Sequence, residues 1–156
     1  MSIYNPLFSL CFYIVKGNKE MNDKNNEGYH DPTTKMNRYK QKISSIKAIR
    51  HPHWKNKIIA VDFDGTIVKN AYPNIGRPNY FLIAQLIELS KNNTLILWTC
   101  RNNKLLEDAL NFCKALGLNF NYVNENCKKI LDSYGGVDSR KITADIYIDD
   151  KARCRL

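Results

Sequence analysis

The stretch KIIAVDFDGTIV, residues 57 to 68, joins an apolar run to two carboxylates and a glycine. The run KIIAVDF has the apolar character of a β-strand that is buried on both faces of a sheet. Asp62 and Asp64 stand one residue apart, where the strand gives way to Gly65. Two like charges this close raise the free energy unless a counter-charge lies between them. The stretch therefore predicts either a cation site or an ordinary loop.

Strand-like and helix-like patterns alternate after this stretch. Apolar runs predict three further strands, over 94–99, 119–124 and 144–150. Helical spacing predicts two helices, over 79–91 and 102–117, and Gly117 suits the end of the second. This order of elements forms right-handed crossovers around a parallel sheet. We expect an α/β fold: a three-layer core with a short, mostly parallel sheet.

Residues 1–30 are predicted to lie outside that core. They begin with an apolar segment at 7–15 and continue as a polar, Asn-rich linker. The apolar segment is too short for a transmembrane span, which needs about 20 residues. It also lacks the flanking features of a signal peptide. Three interpretations remain open for this segment: a docking strand, a membrane-surface anchor or an upstream extension.

A helix is predicted between the linker and the first strand. Asp31 and Pro32 suit an N-cap and a first helical position. Apolar residues then recur at three-and-four spacing, which predicts an amphipathic helix over 31–50. Its apolar stripe either packs on the domain or binds a partner. We expect one domain at 31–156, in which this helix precedes a motif-bearing core at 57–151.

Composition bears on the partners and on the cellular compartment. The 156 residues carry a formal net charge of +9, which suits a polyanion such as nucleic acid. However, Lys and Asn are enriched together, and no aromatic-plus-basic motif supports a nucleic-acid partner. The five cysteines are odd in number and form no C-x-x-C pair, which disfavours structural disulfides and a zinc site. We expect a cytoplasmic protein.

Polar and small residues gather at the ends of the predicted strands. They follow the first, second and fourth strands, with one lysine before the fourth: Asp62, Asp64, Gly65, Thr99, Arg101, Lys141, Asp149 and Asp150. Each has an ordinary structural explanation when it is taken alone. Parallel sheets bind ligands at the carboxyl ends of their strands. The convergence of these residues on one edge therefore predicts a single site.

The four aspartates of this set predict a metal site and a nucleophile. Mg²⁺, which prefers oxygen ligands, would relieve the repulsion among Asp62, Asp64, Asp149 and Asp150 and bridge to a phosphate. Asp62 is then placed to attack phosphorus as a carboxylate nucleophile. Asp64 is placed to protonate the leaving oxygen and later to accept a proton from water.

The other four residues are predicted to bind the substrate. Gly65 lets the backbone approach a phosphate, and Thr99 donates a hydroxyl to one of its oxygens. Lys141 offsets the negative charge of the phosphoryl group. Arg101 is a candidate substrate contact, and a salt bridge with the following helix is its alternative.

The motifs DFDGT and LWT, Lys141 and the motif IDD occur in an order that resembles the haloacid dehalogenase-like (HAD) hydrolase superfamily. The resemblance covers residues 57 to 151, and D-x-D-G-T is its most specific part. It implies a Rossmann-like core, Mg²⁺ as the cofactor, an aspartyl-phosphate intermediate and a phosphorylated substrate. The run KITADIYIDDKA, 141 to 152, resembles small phage and bacterial members.

Two departures from the superfamily pattern affect the expected function. Neither 65–94 nor 99–141 has room for a folded cap, so the chain resembles a capless phosphatase. An open site suits large substrates, and a nucleotide or a nucleic-acid end is a candidate. The chain also stops at Leu156 without the usual fifth strand. That feature predicts either an exposed sheet edge or a truncated protein.

Three other functions fit part of the pattern. A phospho-receiver domain also uses Asp, Thr and Lys around Mg²⁺, but in a different order along the chain. A nucleotide-sugar transferase would leave Lys141 and the last Asp pair unexplained. The stronger rival is an inactive HAD-like domain that binds phosphate or a partner without catalysis. The four intact motifs favour the phosphatase, and the missing strand favours the rival.

Overall fold

A sheet of four parallel strands forms the centre of the computed structural model, which describes residues 32–48 and 53–152. The strands are β1 (Ile58–Val61), β2 (Thr94–Leu97), β3 (Tyr122–Val123) and β4 (Ile146–Ile148). They lie in the order β3-β2-β1-β4. The predicted α/β class and parallel sheet are confirmed. Each strand falls within its predicted segment but is shorter than predicted.

Four helices belong to the described part of the chain. They are α1 (Pro32–Ser45), α2 (Tyr80–Leu89), α3 (Asn103–Ala115) and α4 (Lys128–Ser133). The first three were predicted, with wider bounds. The fourth was not predicted from the sequence. It has only six residues, and Cys127 before it provides no side-chain cap, so the usual sequence signals of a helix are missing.

The crossovers assign the helices to the two faces of the sheet. The steps from β1 to β2 and from β2 to β3 run in the same direction, so right-handed connections place α2 and α3 on one face. The step from β3 to β4 returns past β1 and places α4 on the other face. The result is the Rossmann-like, three-layer arrangement that the sequence predicted.

Both faces of β1 are covered, which explains why its sequence is apolar throughout. Ile59 and Val61 belong to the larger hydrophobic cluster, beneath α2 and α3. Ile58 and Ala60 point the other way and pack with Ile142 in a smaller cluster. All four residues of β1 are buried. A strand whose successive side chains enter two different cores has no position left for an alternating polar residue.

Helix α1 packs its apolar stripe on the domain. Ile43 is buried in the larger cluster, and Met36, Tyr39 and Ile46 pack against that cluster. The rings of Tyr39 and Tyr80 meet edge to face, with their centroids 5.6 Å apart. Of the two interpretations of this stripe, packing is therefore confirmed. The predicted N-cap and the predicted apolar and linker segment at 1–30 lie outside the described residues.

The connections at the carboxyl edge are short. After β1, the N–H of Gly65 donates to the carbonyl of Val68 at 2.8 Å, and the N–H of Lys69 donates to that of Arg77 at 2.9 Å. These bonds close residues 65–79 into a compact loop that leads to α2. The fully described stretch from β2 to β4 contains α3, β3 and α4. No folded cap lies in either connection, in agreement with the sequence.

Every helix in the described ranges is too short or too polar to cross a membrane.

Candidate metal and phosphate site

The candidate site lies at the edge where β1 and β4 end side by side. Val61 pairs with Ile148, and the N–H of Asp62 donates to the carbonyl of Ile148 at 2.9 Å. The order of strands reverses at this point, because β2 lies on one side of β1 and the much later β4 lies on the other. Open α/β sheets bind ligands at such reversals, beyond the carboxyl ends of the strands.

Three carboxylates meet at this edge. Asp62 follows β1, and Asp149 and Asp150 follow β4; one oxygen from each lies within 4.8 Å of the other two. Asp62 and Asp149 are partly buried, whereas Asp150 is exposed. This confirms that acidic groups from distant parts of the chain meet on one side of the sheet. The arrangement is compatible with a hard divalent cation, although it does not identify one.

The electrostatics of this cluster are unfavourable for Asp62. Its pKa is raised from 3.8 to about 6, mainly by partial burial and also by the neighbouring charges of Asp149 and Asp150. Hydrogen bonds from the Phe63 N–H and from Thr66 act in the opposite direction. Of the ion pairs among the described residues, none involves the three clustered carboxylates. A bound cation would supply the missing positive charge.

Thr66 is a site residue that the sequence analysis missed. Its hydroxyl accepts a hydrogen bond from the Asp150 N–H at 2.9 Å, and its side chain also hydrogen-bonds Asp62. Thr66 is buried. It therefore ties the turn after β1 to the turn after β4. The sequence did contain a signal, since Thr66 is the last residue of the DFDGT motif. Residue spacing alone, however, does not reveal which groups a buried hydroxyl binds.

Gly65 supports the same junction between the two turns. Its φ of +95° lies in the left-handed region, which L side chains rarely adopt. A Cβ at this position would lie against the carboxylate of Asp150. The sequence predicted that Gly65 allows close approach of the backbone to a phosphate. The close approach that the structure shows is to Asp150.

Asp64 lies in a different environment from the clustered carboxylates. Its two oxygens accept hydrogen bonds from Nε and Nη2 of Arg101, each at 2.7 Å. The Arg101 side chain is 1% exposed, and Asp64 is 18% exposed. The hydrogen bonds that the guanidinium donates to Asp64 raise its pKa above the ordinary value, although burial acts against this shift. Such bidentate pairs are among the stronger charge-assisted interactions.

This pairing corrects two predictions. Asp64 is not among the clustered carboxylates, because the chain leaves the extended conformation after Asp62 and the two-residue side-chain period ends there. Arg101 is enclosed and does not present its guanidinium to a substrate in this conformation. Its alternative role was a salt bridge with the following helix. The partner is instead Asp64, 37 positions earlier in the chain.

Thr99 lies at the predicted edge, just after β2. Its N–H donates to Oδ1 of Asn124 at 2.8 Å, and its hydroxyl oxygen accepts from the Arg101 N–H at 3.2 Å. The preceding residue, Trp98, donates its N–H to the carbonyl of Val61 at the end of β1. A hydroxyl has one donor in addition to its acceptor lone pairs. Thr99 therefore keeps a donor that a phosphate oxygen can use.

Lys141 is held at its backbone rather than at its ammonium group. Its carbonyl accepts from Nδ2 of Asn126, a buried residue that follows β3 and also binds Asp138. The Lys141 side chain is exposed, and within the described ranges it makes no hydrogen bond or ion pair. The structure does not bring the ammonium group into contact with the clustered carboxylates.

The fold and the site define an α/β protein with an acidic cluster at a strand-order reversal. No protein-family model and no curated protein matches the chain. A solved structure of a conserved protein coded by a locus from Bacteroides thetaiotaomicron is similar. It is 40% identical with a TM-score of 0.55, over 63% of this chain and 78% of that one. The two chains belong to one family. The description of that protein states no activity.

Proposed function

We propose that this chain is a Mg²⁺-dependent phosphomonoester hydrolase of the HAD-like superfamily, in which Asp62 is the phosphoryl acceptor. The observation that carries the proposal is the group formed by Asp62, Asp149 and Asp150, whose oxygens lie within 4.8 Å of one another. Three carboxylates without a cationic side chain among them form a ligand set that suits Mg²⁺. The type of reaction is inferred from the resemblance of the four motifs to those of the superfamily.

The clustered carboxylates would hold the ion, which when bound neutralises charge on a phosphoryl oxygen. A carboxylate oxygen of Asp62 attacks phosphorus, so that an O–P bond forms and the bond to the leaving oxygen breaks. Asp64, in its protonated form, gives that oxygen a proton and then accepts one from the water that attacks phosphorus; the O–P bond to Asp62 breaks and phosphate leaves. Thr66 keeps Asp62 oriented for both steps, because it hydrogen-bonds the carboxylate.

Two further residues bind the transferring phosphoryl group in this proposal. Thr99 donates its hydroxyl to one phosphate oxygen, since its own oxygen already accepts from the Arg101 N–H. Lys141 contacts the phosphoryl group when substrate enters, because its side chain is exposed and its backbone is anchored by Asn126. The cation of Lys141 then stabilises the negative charge of the transition state.

The open site and the charge of the chain favour large anionic substrates. No folded cap lies over the carboxyl edge in the described connections, and the net charge of +9 attracts polyanions. Nucleotides and nucleic-acid ends are therefore the substrate class that we propose.

Cys100, Cys113 and Cys127 are free thiols, which supports action in the reducing cytoplasm.

A second candidate function is a non-catalytic module that binds Mg²⁺ together with a phosphate group. The observation that favours it is the bidentate pair of Asp64 with Arg101. Asp64 is the proposed acid, and both of its oxygens are engaged. In a binding module this pair would be purely structural, and the three clustered carboxylates would still hold the ion.

Hydrolysis of p-nitrophenyl phosphate with Mg²⁺ tests the proposal. We expect activity in the wild type, none in Asp62→Asn, and wild-type activity in the control Asp132→Asn. Asp132 is an exposed aspartate on α4 that pairs with Lys128 and lies outside the site. An inactive wild type that still gains thermal stability from Mg²⁺ with beryllium fluoride, a mimic of the aspartyl phosphate, would support the binding module instead.

A further inference from the structure

The buried guanidinium of Arg101 does more than neutralise Asp64. Its side chain makes four hydrogen bonds, two to the carboxylate of Asp64 and two to main-chain carbonyls. Nη1 donates to the carbonyl of Pro73 at 3.0 Å, and Nη2 donates to that of Asn74 at 2.8 Å. Arginine side chains have five N–H donors in a fixed planar fork. Four of these five donors are used here, and they hold Asp64 and the main chain at Pro73 and Asn74 in fixed positions.

Two aromatic rings enclose the same guanidinium. Its central carbon lies 4.9 Å from the centre of the Phe63 ring and 5.4 Å from that of the Tyr72 ring. Phe63 is buried, whereas Tyr72 is 59% exposed. The ring of Tyr72 therefore covers the guanidinium from the solvent side. Contacts of a cation with aromatic faces add to the stability of this arrangement.

Arg101 thus connects three segments that meet at the carboxyl edge. These are the turn after β1 with Asp64, the loop segment 72–74, and the turn after β2. In the last of these, the Arg101 N–H donates to the hydroxyl of Thr99. The segment 72–74 has an exposed surface in the compact loop between β1 and α2. A single residue therefore connects these segments: its side chain binds Asp64 and the loop, and its main-chain N–H binds Thr99.

We propose that Arg101 is a positioning residue, which holds the Asp64 carboxylate and the 72–74 segment in the geometry that phosphoryl transfer needs. This role rests on the proposed hydrolase function. Arg101 does not touch the substrate itself, since its side chain is enclosed. Its contribution lies in the orientation of Asp64, and a displacement of about 1 Å at a reacting group can lower the rate about a hundredfold.

The test compares Arg101→Ala, Arg101→Lys and the control Arg77→Lys in hydrolysis of p-nitrophenyl phosphate with Mg²⁺. Arg77 is an exposed arginine of the same loop. We expect kcat to fall about a hundredfold in Arg101→Ala, with KM changed less than about threefold. Lysine keeps the charge but lacks the fork, so Arg101→Lys should still lose about tenfold in kcat. The control should keep the wild-type kcat and KM.

Chemical rescue separates positioning from a general effect on folding. Guanidinium chloride below denaturing concentrations should restore about tenfold of kcat in Arg101→Ala, because the ion fits the vacated space beside Asp64. Ammonium chloride at the same concentration should not. In an Asp64→Asn background, Arg101→Lys should cause little further loss, because the two residues act as one unit.

Several outcomes would overturn this role. A wild-type kcat in Arg101→Lys would do so, and this variant decides the matter if Arg101→Ala does not fold. Additive losses with Asp64→Asn, or a folded Arg101→Ala that guanidinium does not rescue, would also contradict positioning. A loss confined to KM would make Arg101 a substrate contact instead. A wild type without any hydrolysis would overturn the proposed function, and this role with it.

Discussion

Asp62 and Asp64 come from the same five-residue motif, but the structure compensates their charges in opposite ways. Asp64 is paired with a buried arginine through two hydrogen bonds of 2.7 Å. Asp62 has no such partner and lies beside two other carboxylates, with its pKa raised to about 6. The negative charge of Asp64 is balanced by a cationic side chain of the protein, whereas that of Asp62 is not.

This difference indicates which aspartate of the motif would be stabilised more by a bound cation. An acidic group that is already neutralised gains little from a metal ion, whereas a crowded, partly desolvated one gains much. A cation would therefore stabilise the cluster of Asp62, Asp149 and Asp150 more than it would stabilise Asp64. The same difference predicts that mutations at the two aspartates have opposite effects on the stability of the metal-free protein.

The largest expected effect is on catalysis at Asp62. Asp62→Asn removes the proposed nucleophile and should lower kcat at least about a thousandfold. The same variant should be as stable as the wild type or more stable in EDTA, because it removes one of three crowded charges. Steady-state hydrolysis and thermal melting of the same sample measure both effects. An active Asp62→Asn, or one that melts well below the wild type in EDTA, would contradict the comparison.

The next effect is on stability at Asp64. Asp64→Asn leaves the buried guanidinium of Arg101 beside a neutral amide, which should lower the free energy of unfolding by about 3 kcal/mol. Urea unfolding in EDTA measures the change. Asp132→Asn breaks the exposed pair with Lys128 and should change it by less than about 0.5 kcal/mol. Equal effects in the two variants would mean that the Asp64–Arg101 pair contributes no more than a surface ion pair.

The sequence predicted the sheet well, because its strands carry their own signal. The continuous apolar run of β1 indicates burial on two faces, and the motif order places Asp62 and Asp149 at one edge. Helix α4 was missed, since six residues between polar loops give too little periodicity. The bounds of the strands were too wide, because the predicted segments included polar residues that follow the strands, such as Thr99, Asn124 and Asp149.

The prediction for Asp64 was partly wrong, and the reason was different. The prediction of a metal ligand assumed that extended geometry continues past Asp62, whereas the chain turns at Phe63. The partner of Arg101 depends on a contact across 37 positions, and residue spacing within one segment carries no information about it. Thr66 was also missed, because a short polar side chain gives no sign of its buried partners until the two turns are brought together.

A smaller effect on stability is expected at Gly65, which follows Asp64 in the chain and lies against Asp150. Gly65→Ala should lower the free energy of unfolding by about 2 kcal/mol, because φ is +95° and the added methyl group meets Asp150. Gly135→Ala is the matched control, with φ of +70° and nothing within 4 Å of the added Cβ. Its cost should be about 1 kcal/mol, from backbone strain alone.

Mg²⁺ binding distinguishes the two glycine variants further. Displacement of Asp150 in Gly65→Ala should weaken Mg²⁺ binding, whereas Gly135→Ala should leave it unchanged. Isothermal titration with Mg²⁺ alone measures both. If Gly65→Ala binds Mg²⁺ as the wild type does, Asp150 is not needed as a ligand, and the metal site would reduce to Asp62 and Asp149.

The smallest effect is a pH dependence of stability that belongs to Asp62. The pKa of Asp62 is about 6 in the folded protein against 3.8 for an ordinary aspartate, so the folded state binds the proton more tightly. The resulting stabilisation is fully present below about pH 4 and is lost as the pH rises through about 6. For a partly exposed group it amounts to about 1–2 kcal/mol, after allowance for solvent screening.

Urea unfolding of the wild type and of Asp62→Asn in EDTA, from about pH 4 to about pH 7, isolates this contribution as a difference between two proteins. The wild type should lose more stability over this range than the variant. Saturating Mg²⁺ should reverse the trend, because the ion binds the ionised carboxylates and its stabilising effect grows with pH. Parallel curves for the wild type and Asp62→Asn would mean that folding does not raise the pKa of Asp62, and this electrostatic argument for a cation at the edge of the sheet would disappear.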